Sequence, residues 1–169
     1  NIEPMYEAVM NGIGEVTNPL VKGNAQARLR MTTLYAVSQE RNGRVSNNCN
    51  ASERFVGYST LYGDDAGDFS PLSDMTSNQV MSLGQRLGLP KHLWDKTPID
   101  GLANNVVDGK TLTDEDAMGF TYKQLDEFML TGDVQGQPEV AKLISDKHKF
   151  SEFKRRPRIS HFEYRSKNN

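Results

Sequence analysis

The sequence predicts a helix-rich α/β chain with too little strand to close a sheet by itself. Apolar residues recur at helical spacing along most of the chain, and the segments open on Ser, Thr or Asn and close on Gly or Pro. Extended character is confined to two short stretches, around Ile2 and at Arg44-Val45-Ser46. Two strands are too few for a parallel sheet, which needs several neighbours and cover on both faces. The strand edges beside Ile2 and Val45 are therefore expected to find partners on a second chain or through rearrangement.

Pro4 suits a first helical turn, and Met5, Ala8, Val9 and Ile13 follow at helical spacing, so residues 4–16 read as an amphipathic helix. Asn18-Pro19 is expected to break it. Asn24 is placed to cap a second helix over residues 25–41, with Ala27, Met31, Leu34, Tyr35 and Ala36 towards one side and Asn42-Gly43 at its end. Residues 50–60 read as a helix, followed by a loop holding Asp64, Asp65 and Asp68 around Gly63 and Gly67. Thr76 with Gln79 is a capping box for a helix through Leu87, stopped by Gly88 and Pro90. Residues 98–110 lack periodicity, as segments over ligands often do. Thr113 with Asp116 starts a short helix, and residues 122–130 and 138–148 read as two more. Residues 1–160 are read as one domain and 161–169 as a polar tail.

Bulk properties narrow the class. A chain of 169 residues, 36% hydrophobic and 25% charged with net charge -2, can bury one core and carries no basic excess that would favour nucleic acid. The single cysteine, Cys49, excludes an internal disulfide and suits a reducing compartment, so a cytoplasmic protein is expected. No apolar run reaches membrane-spanning length and no signal peptide opens the chain. His92, His148 and His161 lack metal-ligand spacing and read as surface or packing residues.

Five ordered motifs carry the functional reading. Residues 23–31 read G-N-A-Q-A-R-L-R-M, and residues 47–50 form a polar turn leading to Glu53. Tyr62-Gly63-Asp64 with Asp68 follows. Thr113-Asp114-Glu115-Asp116 precedes Gly119-Phe120-Thr121-Tyr122 and Leu125-Asp126, and Ser151-Glu152-Phe153-Lys154-Arg155-Arg156-Pro157 comes last. In this order the motifs resemble those of the ammonia-dependent NAD synthetases. The resemblance implies the back part of an adenine-nucleotide alpha-hydrolase-like (Rossmann-like) parallel-sheet fold. It also implies ATP-dependent amidation of deamido-NAD with ammonia through an acyl-adenylate, with ATP and Mg²⁺ required. The family's Ser-Gly-Gly-x-Asp-Ser loop, which grips the pyrophosphate of ATP, does not occur here. This chain is thus expected to be a C-terminal part, completed by an N-terminal part that a second chain can carry.

Residue roles follow from the resemblance. Glu53 matches the Mg²⁺-binding glutamate, against the plainer reading of an exposed helix acid. Asp64 and Asp68 match carboxylates near ammonia and the dinucleotide, against turn-forming aspartates common in Gly loops. Asp64 and Lys154 are expected to be catalytic; Asn24, Arg28, Arg30, Tyr35, Asn48 and Asp68 are expected to bind nucleotide. Arg28 and Arg30 stand two apart and cannot fully share a helix face, so one is expected at the ligand and the other paired with an acid, against the plainer reading of a solvated helix face. The chain departs from the family where a phosphate-site lysine is replaced by Ser77, a hydroxyl by Ile99, a threonine by Asn48 and a histidine by Phe153. Restoring Ser77→Lys and Ile99→Thr is expected to raise amidation. The alternative is a catalytically inactive binding or structural subunit. The family builds its dinucleotide site between subunits, so a homodimer through residues 25–41 is expected, split by charge at Leu34.

Overall fold

Side-chain caps set most of the helix starts. The computed structural model describes residues 1–100, 106–107 and 109–155. The polar tail 161–169, His161, and Arg156 and Pro157 of the last motif lie outside the described residues, as does part of the 98–110 loop. Helices α1 (Glu3–Ile13) and α2 (Pro19–Glu40) pack on one another. Ile2 stands at the N-cap of α1, not at the end of a strand, because Pro4 draws the chain into a first helical turn. Asn18-Pro19 starts α2 where a break was expected. The Asn18 side chain accepts from the Leu20 amide at 3.0 Å, and Pro19 occupies a first-turn position where no amide hydrogen is needed. Asn24 consequently lies inside the helix instead of capping it.

Short helices follow: α3 (Ala51–Val56), α4 (Ser77–Arg86), α5 (Lys91–Trp94) and α6 (Asp114–Met118). The chain then forms α7 (Tyr122–Thr131), α8 (Pro138–Phe150) and α9 (Glu152–Arg155). Capping boxes open α3 (Asn50/Glu53), α4 (Thr76/Gln79), α6 (Thr113/Asp116) and α7 (Thr121/Gln124). Helix α3 ends earlier than expected because Gly57 turns left-handed.

Arg44-Val45-Ser46 forms no sheet strand. Ser46 makes a single parallel bridge to Phe69, flanked by the Asn47 amide donating to Phe69 O and the Asp68 amide donating to Val45 O, each at 2.8 Å. This pairing depends on Gly67, where a Cβ would stand 2.5 Å from the Asn47 nitrogen. The other pairing among the described residues is an antiparallel hairpin, β1 (Val106–Val107) with β2 (Lys110–Thr111), inside the stretch read as aperiodic.

The core joins α3, α6, α7 and α8 through Val56, Met118, Tyr122, Leu125, Val134 and Ile144. Phe55 stacks on His148 at 4.0 Å and meets Phe128 edge-on at 6.1 Å, so His148 is a packing residue as expected. A polar hub sits beside this core. Asp126 of α7 accepts from Ser52 Oγ at 3.1 Å, Thr76 Oγ1 at 2.9 Å and Asn78 Nδ2 at 2.7 Å. Ser52 is fully buried and also accepts from the Ser77 amide at 3.0 Å. One carboxylate thus ties α7 to the N-terminal turns of α3 and α4.

Hydrogen bonds to a charged group contribute more than neutral ones, and orphaning a buried donor adds its desolvation cost. Asp126→Ala is therefore expected to lower stability by about 3 kcal/mol or more in urea unfolding. Asp74→Ala, on an exposed turn, should stay within about 0.5 kcal/mol. Equal effects would remove the hub from the account.

Candidate functional site

Glu53 serves two purposes in one short helix. Its carboxylate accepts from the Asn50 amide at 2.9 Å while the Asn50 side chain accepts from the Glu53 amide at 3.0 Å, which fixes the first turn of α3. The same side chain lines a cavity of about 820 Å³, together with Arg30, Asn48, Asp64, Asp100 and Asp114. Burial pushes the Glu53 carboxyl up to about 7, against the pull of the Asn50 amide, and the nearby charges of Asp114 and Asp64 push the same way.

The acidic loop is held from several sides. Gly63 packs so closely that a Cβ there would lie 2.9 Å from Thr60 Cγ2 and 3.0 Å from the Ala27 Cβ of α2. Tyr62 takes a left-handed conformation at φ 62°, which costs about 1 kcal/mol and persists only where neighbours impose it. Asp64 Oδ1 accepts from the Thr60 amide at 2.8 Å, and Cys49 Sγ lies 3.7 Å from the Asp64 carbonyl oxygen. Thr60 Oγ1 donates to Asn24 Oδ1 at 2.7 Å.

The structure sorts the expected site residues into two groups. Glu53, Asp64, Asn48 and Arg30 line the cavity. Asn24, Arg28 and Asp68 brace its floor: Arg28 Nε donates to the Leu61 carbonyl at 3.2 Å, and Asp68 Oδ2 accepts from the Val45 amide at 2.7 Å. The two arginines divide, with Arg30 at the cavity and Arg28 on a backbone carbonyl of the loop and not on the acid expected for one of them. Tyr35 is half-buried on α2 and lines neither cavity described. Lys154 donates to the Gly57 carbonyl at 2.7 Å and to the Ser59 carbonyl, and burial lowers its pKa. Its neighbour Arg155 reaches the Phe55 carbonyl at 2.9 Å, so this basic pair closes the C-terminal end of α3.

Sequence reasoning missed several cavity residues, among them Asp114, Lys96 and Thr97. Asp114 opens α6 as a first-turn acid and is also buried and lines the cavity. It accepts from Tyr122 OH at 3.2 Å and Tyr58 OH at 3.4 Å, and burial raises its pKa. Lys96 and Thr97 also line the wall. Asp114 belongs to a motif that was noticed, but nothing in its spacing announces a tyrosine 56 residues away.

The donor set fits Mg²⁺, which commonly takes one or two protein carboxylates and fills the remaining positions with water and substrate phosphate. No group of three His, Cys, Asp or Glu side chains among the described residues is arranged to hold a metal alone. A half-buried glutamate whose proton affinity is raised first by desolvation and then by two neighbouring acids is a place where a divalent cation relieves repulsion. The folded carboxyl keeps its proton up to about pH 7, while an unfolded one loses it near 4.5. Its stabilising contribution is thus complete below pH 4.5 and lost as pH rises through 7. Without Mg²⁺, stability from this group should fall by about 2 kcal/mol between about pH 5.5 and 8. Glu53→Gln should flatten that slope in unfolding titrations, and an unchanged slope would contradict the assignment.

Comparison with known proteins follows the same line. A family model described as NAD synthase matches residues 1–162. The chain is 41% identical over 137 residues to the NH(3)-dependent NAD(+) synthetase of Syntrophomonas wolfei, covering 81% of this chain and 52% of that protein. It is 37% identical over 155 residues to the corresponding synthetase of Lactobacillus johnsonii, covering 92% of this chain and 54% of that protein. The chain therefore spans about half the length of the curated relatives it matches. The structure of NMN synthetase from Francisella tularensis superposes with a TM-score of 0.82 at 39% identity, covering 95% of this chain and 64% of that one. These likenesses bear out the α/β, partly Rossmann-like fold class, whose helix-rich portion is the part seen here.

Proposed function

This chain belongs to the NAD synthase family, and on that premise we propose that it supplies the nicotinate-side part of an ATP-dependent amide synthetase. The observation that supports the reading best is that Glu53, Asp64, Asn48 and Arg30 line one cavity. In the proposed reaction, the nicotinate carboxylate of deamido-NAD attacks the α-phosphorus of ATP and expels pyrophosphate. Ammonia then attacks the acyl-adenylate carbonyl, giving NAD and AMP. The groups that grip the pyrophosphate of ATP are sought in the portion of the relatives that this chain does not span, on the same polypeptide or on a second chain.

Each residue has a proposed part. Glu53 holds Mg²⁺, which when bound supplies positive charge to the phosphates. Asp64, fixed through Oδ1 by the Thr60 amide, presents its other oxygen to ammonia and accepts a hydrogen bond from it. Arg30 and Asn48 contact the nucleotide from the cavity wall. Asn24, Arg28 and Asp68 serve that binding by holding the loop. Lys154 holds the Gly57 and Ser59 carbonyls, and through that turn it keeps Thr60 and Asp64 in register. It acts catalytically only if its ammonium leaves those carbonyls.

Two further readings rest on specific observations. Likeness to the Francisella tularensis NMN synthetase supports nicotinate mononucleotide as the acceptor in place of the dinucleotide. Ser77 and Ile99, at positions where phosphate ligands were expected, support a catalytically inactive subunit. Ser77 is buried and lines neither cavity, so a lysine placed there would start from the interior and not from the wall. One assay separates the three: the complete gene product with Mg²⁺, ATP and ammonium, offered each acceptor in turn, with amide, AMP and pyrophosphate measured. Turnover of deamido-NAD supports the first reading, turnover of the mononucleotide the second. Nucleotide binding without turnover of either supports the inactive subunit.

A homodimer is proposed through α1 and α2, which leave Ile13, Leu20, Val21 and Val37 exposed. Leu34 also lines the cavity, so charge there would perturb two features at once. Ile13→Asp is the cleaner variant. It should convert a dimer to monomer in sedimentation, and a dimer untouched by it would contradict this interface.

A further inference from the structure

The net charge of -2 conceals a division within the chain. Residues 147–169 hold eight Lys or Arg against Glu152 and Glu163, a net +6. Residues 1–146 hold twelve against twenty acids, a net -8. A basic stretch on an acidic body points to an anionic partner. Its described part is the corner where α8 meets α9, residues 147–155.

Charge alone has a plainer reading, since cations at the end of α8 complement the helix dipole. Two aromatic rings are not explained by it. Phe150 is 83% exposed and Phe153 is 55% exposed, on either side of the buried Ser151. Neither ring belongs to the core, and neither lines a described cavity. Lys147 stands three residues before Phe150 and shares its side of α8. Lys149 is exposed beside it. Burial lowers the Arg155 pKa, Glu152 opposes this, and the charge of Arg54 adds to it, which places Arg54 of α3 at the same corner.

Among the described residues, the side chains of Arg54, Lys147 and Lys149 make no hydrogen bond or ion pair. Lys154 and Arg155 are instead held on the carbonyls of Gly57, Ser59 and Phe55. They fasten the corner to α3 and fix the platform on which the uncommitted cations and rings stand. Exposed rings beside such cations match single-stranded nucleic acid, whose phosphates attract the charge and whose bases offer faces for stacking. The sequence repeats the pattern further on, where Phe162 and Tyr164 alternate with Arg158, Arg165 and Lys167. A membrane fits less well, because two rings and a four-residue α9 give little apolar surface to seat in lipid.

We propose that this corner binds single-stranded nucleic acid, with Arg54, Lys147 and Lys149 on phosphates and Phe150 and Phe153 stacked on bases. The proposal is independent of how the cavity is read.

The complete gene product is titrated by fluorescence anisotropy into labelled oligouridylate and oligothymidylate at several salt concentrations. Affinity should fall with salt, and Lys149→Ala should reduce the slope of log affinity against log salt by about 0.7. Phe150→Ala combined with Phe153→Ala should weaken binding about fivefold or more while leaving that slope in place. All three side chains are exposed, so the urea midpoint should not move in either variant. Lys142→Ala, which removes a cation already paired with Asp146, should leave binding as it is. An abasic oligomer of equal length, which offers phosphates without bases, should bind about fivefold or more weakly than its parent. A preference between the two oligomers assigns the corner to RNA or to DNA. Absence of binding would overturn the proposal, and so would binding indifferent to loss of both rings or of the bases. Capture by phosphatidylserine vesicles without binding of either oligomer would overturn it in favour of a membrane.

Discussion

Helix α3 is the constraint on which the rest of the site depends. Six residues make too few internal hydrogen bonds to hold a helix in water, so its stability must come from outside. Each part of it is claimed by a different element. The capping box of Asn50 and Glu53 closes its first turn, Ser52 is bound to Asp126 of α7, and Arg155 takes carbonyls at its last turn. His148 of α8 adds a bond to the Phe55 carbonyl at 2.8 Å and stacks on the Phe55 ring. The position of Glu53 is therefore the resultant of contacts from α7, α8 and α9, and a fault in any of them is felt at the cavity.

The same arrangement explains why the chain keeps polar groups in its interior. Ser52, Asn47, Asn50, Thr60 and Asp114 are all buried, yet among the described residues no buried side-chain polar atom lacks a hydrogen-bond partner. A satisfied polar network gives one geometry where an apolar core tolerates several. Precision is bought locally with a left-handed Tyr62, with Gly63 against the side chains of Thr60 and Ala27, and with Gly67 against the Asn47 backbone. These departures from easy backbone geometry gather around the acidic loop, where a side chain must be aimed and not merely packed.

Much of the fold was legible because it is written locally. Thr76 with Gln79 and Thr113 with Asp116 are complete signals within four residues, and both open helices where expected. Asn18-Pro19 misleads because a pair of this type can end a helix or begin one; here Gly14 ends α1 and the Asn18 cap begins α2. Arg44-Val45-Ser46 has strand composition, but its partner is Phe69, brought in by a glycine, and composition cannot name a partner. Among cavity residues, Glu53, Asp64, Asn48 and Arg30 could be found because they sit in recognisable motifs. Lys96 and Thr97 could not, nor could the place of Asp114 in the cavity despite its motif, since the cavity assembles them from segments whose meeting is a tertiary event.

The most direct measurement is a crystal structure of the complete gene product soaked with Mn²⁺ and ATP, with the metal located by its anomalous signal. Mn²⁺ replaces Mg²⁺ on oxygen ligands, so the peak should lie about 2.2 Å from a Glu53 carboxylate oxygen, with phosphate oxygen completing the shell. A peak bound elsewhere, or a nucleotide seated outside the cavity with Glu53 still bonded only to Asn50, would contradict the central claim that α3 exists to present this carboxylate to a nucleotide.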